Sequence, residues 1–213
     1  MRKLILICSV FASFSSLSQE PEISLSGLGI RPISSIHLDD GNSMVIGSAF
    51  LSDEWNDMQI KMIGLDKIHQ YPSKINLKLD LIHVKIRGQE YAIKPSNIDY
   101  LLDTINTRKF IYEQGIKSLV EVIYSADSTF LFKQFLLKLK KGNYNPALDA
   151  GEKYDELIQE SVYFVSIDGN LHELKNKKGL NKFLKEQGFN VKNSSIPDKN
   201  NEKQLINLLS NLK

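Results

Sequence analysis

Residues 140–156, KKGNYNPALDAGEKYDE, hold a dense set of oxygen-bearing side chains in a chain of 213 residues. Asn143, Asn145, Asp149, Glu152 and Asp155 lie among Gly142, Pro146 and Gly151, a composition that raises the question of a cation or ligand loop. A helix-loop-helix calcium site needs oxygen ligands at its first, third and fifth positions, then a glycine and a late glutamate. Counted from Asn143, the fifth position is Ala147 and the sixth is Leu148, so the pattern fails. Turn chemistry accounts for the residues instead. Gly142 ends a strand, Asn143 and Asn145 suit a turn, the residue before Pro146 is held extended, and Pro146 opens a short helical turn that Gly151 ends. No metal or cofactor is expected here.

General acid or base chemistry would draw on His37, His69, His83 and His172, which show no HxH or HxxxH spacing. His83 and His172 read as surface residues of strands. His37 with Asp39, in SIHLDDGNS, has a local carboxylate, but a Ser-His-Asp site needs a serine from elsewhere and the chain has no GxSxG elbow. Asp53 with Glu54 and Asp155 with Glu156 are sequence neighbours, which a strand sends to opposite faces, whereas a glycosidase acid and base converge on one sugar. Trp55, the single tryptophan, reads as a large anchor closing one end of a sheet rather than a sugar-stacking platform. The lysine tracts LKLKKG and LKNKKG read as solvated residues protecting strand edges. No catalytic, cofactor-binding or metal residue is assigned.

The elements that would position any site begin after a leader. Arg2 and Lys3 precede an apolar run from Leu4 to Phe14 and then Ser15, Ser16 and Ser18, the pattern of a secretory signal peptide over 1–18. That run is shorter than the ~20 residues needed to span a bilayer. Cys8, the only cysteine, lies inside it and leaves with it, so the exported chain has neither disulfide nor thiolate. Of 27 basic residues, loss of Arg2 and Lys3 leaves 25 against 25 acidic ones, because the first acidic residue is Glu20. A neutral chain carries no electrostatic argument for a nucleic-acid partner.

An extended segment over 19–41 leads into a domain over 42–213. Its segments 58–64, 74–80, 83–88, 90–94 and 120–124 alternate apolar with polar residues, as antiparallel strands with one buried face do. Turns separate them at 71–73, 87–89, 94–97 and 125–128. In STFLFKQFLLKLKK, Phe132, Phe135, Leu136 and Leu139 also fit a helical face, but its neighbours favour one long strand, and Asp168-Gly169 reads as a type I′ turn between strands 162–167 and 170–175. The period then becomes helical over 176–213: Asn176 caps a helix carrying Leu180, Phe183 and Leu184, and Asn201 caps a second with a stripe of Leu205, Leu208, Leu209 and Leu212. The expected fold is α+β, a predominantly antiparallel β-sheet, meander or partly closed barrel, with two short C-terminal helices.

GSAFLSDEW (47–55), INLKLD (75–80), VKIRGQEYAIKPSNIDY (84–100), the 140–156 segment and VYFVSIDGNLHELKNKKGLNKFL (162–184), in that order and spacing, resemble a family of uncharacterised exported proteins of Bacteroidota. The section between the helices is shorter than in that family, and its aromatic pair near the C-terminus is absent. The resemblance implies an envelope or secreted protein with a twisted antiparallel sheet and terminal helices, and it transfers no activity. The expected function is that of an exported, non-enzymatic binding module, periplasmic or secreted, whose partner is an envelope protein or glycan. No nucleic acid is expected, and no membrane span after leader removal. The alternative is a small exported hydrolase with an unrecognised site, for which His37 and Asp39 are the least poor candidates.

Overall fold

A computed structural model of the protein describes residues 31–32, 45–189, 197–198 and 201–212. The expected leader and the His37–Asp39 pair lie outside the described residues, and Arg31–Pro32 is the described part of the 19–41 segment. The strands are β1 (Arg31–Pro32), β2 (Val45–Ile46), β3 (Asn56–Met62), β4 (Ile68–Asn76), β5 (Leu81–Ile86) and β6 (Gln89–Ile93). They continue as β7 (Ile98–Asp103), β8 (Arg108–Glu113), β9 (Ser118–Ala126), β10 (Thr129–Lys140), β11 (Asp155–Ile167) and β12 (Asn170–Glu173). Helices α1 (Lys177–Glu186) and α2 (Glu202–Ser210) follow.

All twelve strands form one sheet, ordered β1-β6-β5-β4-β3-β7-β8-β9-β10-β11-β12, with β2 beside β11. Two antiparallel meanders, β3 to β6 and β7 to β12, are joined where β7 pairs antiparallel with β3. The short β2 pairs parallel with β11. The sheet is open, and its architecture is the expected α+β meander with two C-terminal helices.

Three hairpins share one turn device. Asn76 Oδ1 accepts from Lys78 N and Leu79 N, Asp103 Oδ1 from Ile105 N and Asn106 N, and Glu113 Oε1 from Gly115 N. Each turn ends on a left-handed residue, Asp80, Thr107 or Lys117. These are the last strand residues using their side chains as caps, which is the reason such residue types favour turns. The Asp168-Gly169 turn has both residues at positive φ, 49° and 79°, as a type I′ turn requires.

Strands β7 and β8 and the first half of β4 were not legible as strands. In β7 the register against β3 shifts between Lys61 and Met62, so Ile98 and Leu101, three apart, both reach the core. That bulge erases the alternation by which a strand is read. The expected turn at 71–73 lies within β4, and the turn itself falls at Leu77–Asp80.

The sheet is strongly curled. Ile75 of β4 and Phe135 of β10 belong to one apolar cluster, though five strand spacings of about 4.8 Å would separate their strands by about 24 Å if flat. That cluster, with Ile60, Ile82, Val84, Leu101 and Phe110, lets the first half of the concave face cover itself. The second half is covered by the helices: Leu180, Phe183, Leu184, Leu205 and Leu209 pack on Leu131, Tyr163, Val165 and Ile167. Asn176 and Asn201 cap α1 and α2, accepting from Gly179 N and Gln204 N.

The α2 stripe is therefore covered by its own chain, centred on Leu205 (0% exposed) and Leu209 (3%), with Leu208 and Leu212 half-buried at its edge. Leu205→Glu places a charge in the centre of this contact and is expected to cost about 3–5 kcal/mol. Thermal denaturation of the isolated protein should show a large fall in melting temperature, and a smaller one for Leu208→Glu.

Candidate binding cleft

One register row crosses the concave face through Ile60, Leu101, Phe110, Glu121, Lys133 and Tyr163. It begins apolar and ends charged, at the boundary between the self-covered half and the helix-covered half. Arg108 closes on Glu121 with two bonds, Nε to Oε1 at 2.7 Å and Nη2 to Oε2 at 3.0 Å. Its guanidinium lies between the Phe110 and Phe135 rings, 5.0 and 5.2 Å from their centroids. Lys133 Nζ and Tyr163 Oη both donate to Glu202 Oε1, at 2.7 and 2.5 Å. These bonds pin the first turn of α2 to the sheet.

Burial pushes the Glu202 carboxyl up, but bonds from Lys133 and Tyr163 and the charges of Lys133 and Arg108 outweigh it and hold it below the usual carboxylate range. Burial likewise lowers the Lys133 ammonium, and its bonds to Glu202 and Tyr163 more than reverse this, leaving it raised. The Glu202 contribution to stability is thus complete above the ordinary carboxylate range and lost as pH falls through the depressed folded value. Lys133 keeps its contribution until pH rises through its own raised value.

Past this row, toward the Lys140 end of β10, the neighbouring strand stops. Residues Thr129–Gln134 of β10 pair with β9, while all of Thr129–Lys140 pairs with β11. Beyond Gln134 the β9 side of β10 has no strand partner among the described residues. This free edge is one wall of a cleft of about 1000 Å³. Phe135, Leu137 and Leu139 line it from β10, Leu157 from β11, Leu51 and Leu77 from the opposite side, and Leu119 from the start of β9.

Residues 45–51 form a strap across the open side of the curled sheet. At one end β2 pairs with Asp155 and Glu156. At the other, Leu51 N donates to Ile75 O and Leu77 N to Ala49 O, both at 2.8 Å, which adds the strap to the end of β4. Gln159 Nε2 donates to Phe50 O at 3.0 Å and ties the β4 end of the strap to β11 as well. Gly47 makes the passage past β11 possible. It stands at φ +101°, and a Cβ there would lie 2.8 Å from the Leu157 carbonyl oxygen.

The outer face takes up the residues read from sequence as candidates. Trp55 is half-buried and lies under the Lys85 and Lys74 ammonium groups, 4.1 and 5.1 Å from its ring, so it covers the outer surface of β4 and β5 instead of closing a sheet end. Phe50 beside it packs edge-on against His83, at 5.1 Å. That contact corrects the reading of His83 as a surface residue: it is 5% exposed, its Nε2 lies 3.4 Å from Asn76 Nδ2, and burial lowers its pKa. His172 stacks on Phe183 at 4.8 Å, and His69 on Tyr71 at 5.8 Å. The three are engaged separately, on different strands.

Segment 140–156 uses its oxygen atoms to hold itself. Asn143 Oδ1 accepts from Glu152 N, Asn145 Oδ1 from Ala147 N, and Asp155 Oδ1 from Gly142 N, while Tyr144 Oη donates to Asp149 Oδ1. The expected helical turn at Pro146 is a tight reversal closed by Asn145 and Ala150. Among the described residues no group of three His, Cys, Asp or Glu could hold a metal ion. No helix among them is long and apolar enough to cross a membrane.

No protein family model, curated protein or solved structure matches the chain. The cleft is what sequence reasoning missed. Its walls are leucine and phenylalanine side chains and main chain, with Lys78, Asp80 and Lys117 from two turns, and the nearest signal was the length of STFLFKQFLLKLKK, which exceeds the strand before it.

Two outcomes follow from this geometry. Gly47→Ala is expected to cost about 1–3 kcal/mol through strain and collision. Hydrogen exchange should quicken at the Leu51 and Leu77 amides that hold the strap and stay slow at the Phe110 amide. Glu202→Gln is expected to cost about 1–2 kcal/mol at neutral pH, between the surface and buried limits for ion pairs. Its stability difference from wild type should shrink as pH falls below the carboxylate range, as read by denaturant unfolding at several pH values.

Proposed function

We propose that the protein is an exported, non-enzymatic binding module that holds an extended segment of an envelope or secreted partner protein along the free edge of β10. The observation that carries this reading is the coincidence of an unpaired strand edge with a row of apolar side chains, Phe135, Leu137 and Leu139, on the cleft wall beside it. A strand edge presents a row of main-chain donors and acceptors that another extended chain can satisfy. In strand addition these main-chain bonds supply affinity, and alternate side chains of the added segment enter neighbouring pockets. Phe135, Leu137 and Leu139 alternate into the cleft beside this edge, so apolar side chains of the incoming segment would meet them. Aliphatic walls next to a strand edge favour a protein segment over a glycan. The leader at 1–18 and the likeness of 47–55, 84–100 and 162–184 to exported proteins support a place in the periplasm or outside the cell.

Lys138 and Lys140 alternate with the leucines on β10 and are drawn the other way, Lys138 to Glu160 of β11 at 2.5 Å and Lys140 to Glu152, in the loop before β11, at 2.8 Å. That keeps them on the other face of the strand, and the leucines stay accessible.

The test is an octapeptide of alternating valine and threonine added to the isotope-labelled protein. Within residues 136–140 the alternate amide hydrogens that point away from β11, to the free edge, should become protected from exchange. Leu137→Glu, on a half-exposed wall, should weaken binding at least about tenfold with little change in melting temperature. Protection elsewhere on the sheet, with residues 136–140 unchanged, would remove the proposal.

A further inference from the structure

The cleft also carries a direction. A segment added to β10 beyond Gln134 continues the line of β9, whose paired residues end at Val120 opposite Gln134. The start of β9 and the turn before it therefore face one end of the added segment. That turn contributes Ile116, Lys117 and Ser118 to the cleft, and the β4–β5 turn contributes Lys78 and Asp80.

Lys78 and Lys117 are exposed, and among the described residues neither forms an ion pair. The single carboxylate lining this part of the cleft is Asp80. Two ammonium groups against one carboxylate leave this end of the cleft net cationic.

Strand direction then becomes a question of charge. β9 runs antiparallel to β10, and a segment added in the same sense meets Ser118 and Lys117 with its C-terminal end. A segment added parallel to β10 would bring its N-terminal end there, and a terminal ammonium would be repelled. We infer that the partner segment binds antiparallel to β10 and ends there, its C-terminal carboxylate held by Lys78 and Lys117. The partner class is thus a protein with an extended, alternately apolar C-terminus. This inference rests on the proposed strand addition at β10 and adds to it the polarity and the terminal group.

The alternating valine and threonine octapeptide, prepared as free acid and as C-terminal amide, separates the two claims. Binding is read by fluorescence anisotropy of an N-terminal label, on wild type and on a Lys78→Gln, Lys117→Asn variant. Asparagine suits position 117, where φ is +58°. The free acid should bind wild type at least about tenfold more tightly than the amide, the scale of a charge-assisted hydrogen bond, and the variant should bind both alike. Equal affinities of acid and amide for wild type would overturn this inference and leave strand addition standing. Absence of binding by both peptides would overturn the two together.

Discussion

One concave apolar face, too long to be covered by any single device, governs this structure. Antiparallel strands with one buried face need a second layer over that face. The chain meets the need in two ways. Across β3 to β8 the sheet curls until Ile60, Ile82, Leu101 and Phe110 cover one another. Across β10 to β12 the curvature cannot close on itself, and α1 and α2 supply the cover. Every other feature lies at the junction of these two solutions.

The junction explains the buried charges. Arg108, Glu121, Lys133 and Glu202 lie on or beside the row where apolar cover changes hands, and each is paired at hydrogen-bond distance. Unpaired, such groups would be costly there; paired, they set the position of α2 on the sheet. Phe135 joins the halves, packing against the first cluster while Arg108 and Lys133 lie over its ring. The cleft opens just past that residue because β9 ends and the helices do not extend so far. The strap at 45–51 then encloses it from the opposite side, held by main-chain bonds to β4 and by pairing to β11.

A site built in this way leaves little trace in residue types. Catalytic and metal sites draw on histidines, carboxylates and thiolates at recognisable spacings. The three histidines among the described residues instead pack against aromatic rings, at Phe50, Tyr71 and Phe183. The oxygen atoms of 140–156 close a loop at the end of the longest hairpin. The proposed binding would draw on unpaired main chain and on leucines whose alternation alone assigns them to the core. Lys78 and Lys117 belong to no catalytic or metal-binding sequence motif, and two turns, far apart in the chain, place them on one cleft.

Local chemistry by itself determined the elements whose signals are local. The Asp168-Gly169 turn, the Asn176 and Asn201 caps, the alternation in β3, β5 and β6, and the leucine stripe of α2 all follow from backbone preference and period, and the sequence displays each of them. So does the class of the fold. Strand β7 escaped because a bulge put Ile98 and Leu101 on the same face, a displacement that pairing with β3 imposes. His83 looked exposed because alternation predicts a face and not what lies upon it; Phe50, thirty-three residues earlier, buries it. Tertiary structure alone decided that β10 outruns β9, that the strap crosses to β11, and that Glu202 meets Lys133 and Tyr163. Those are relations between segments distant in the chain, where period and propensity carry no information.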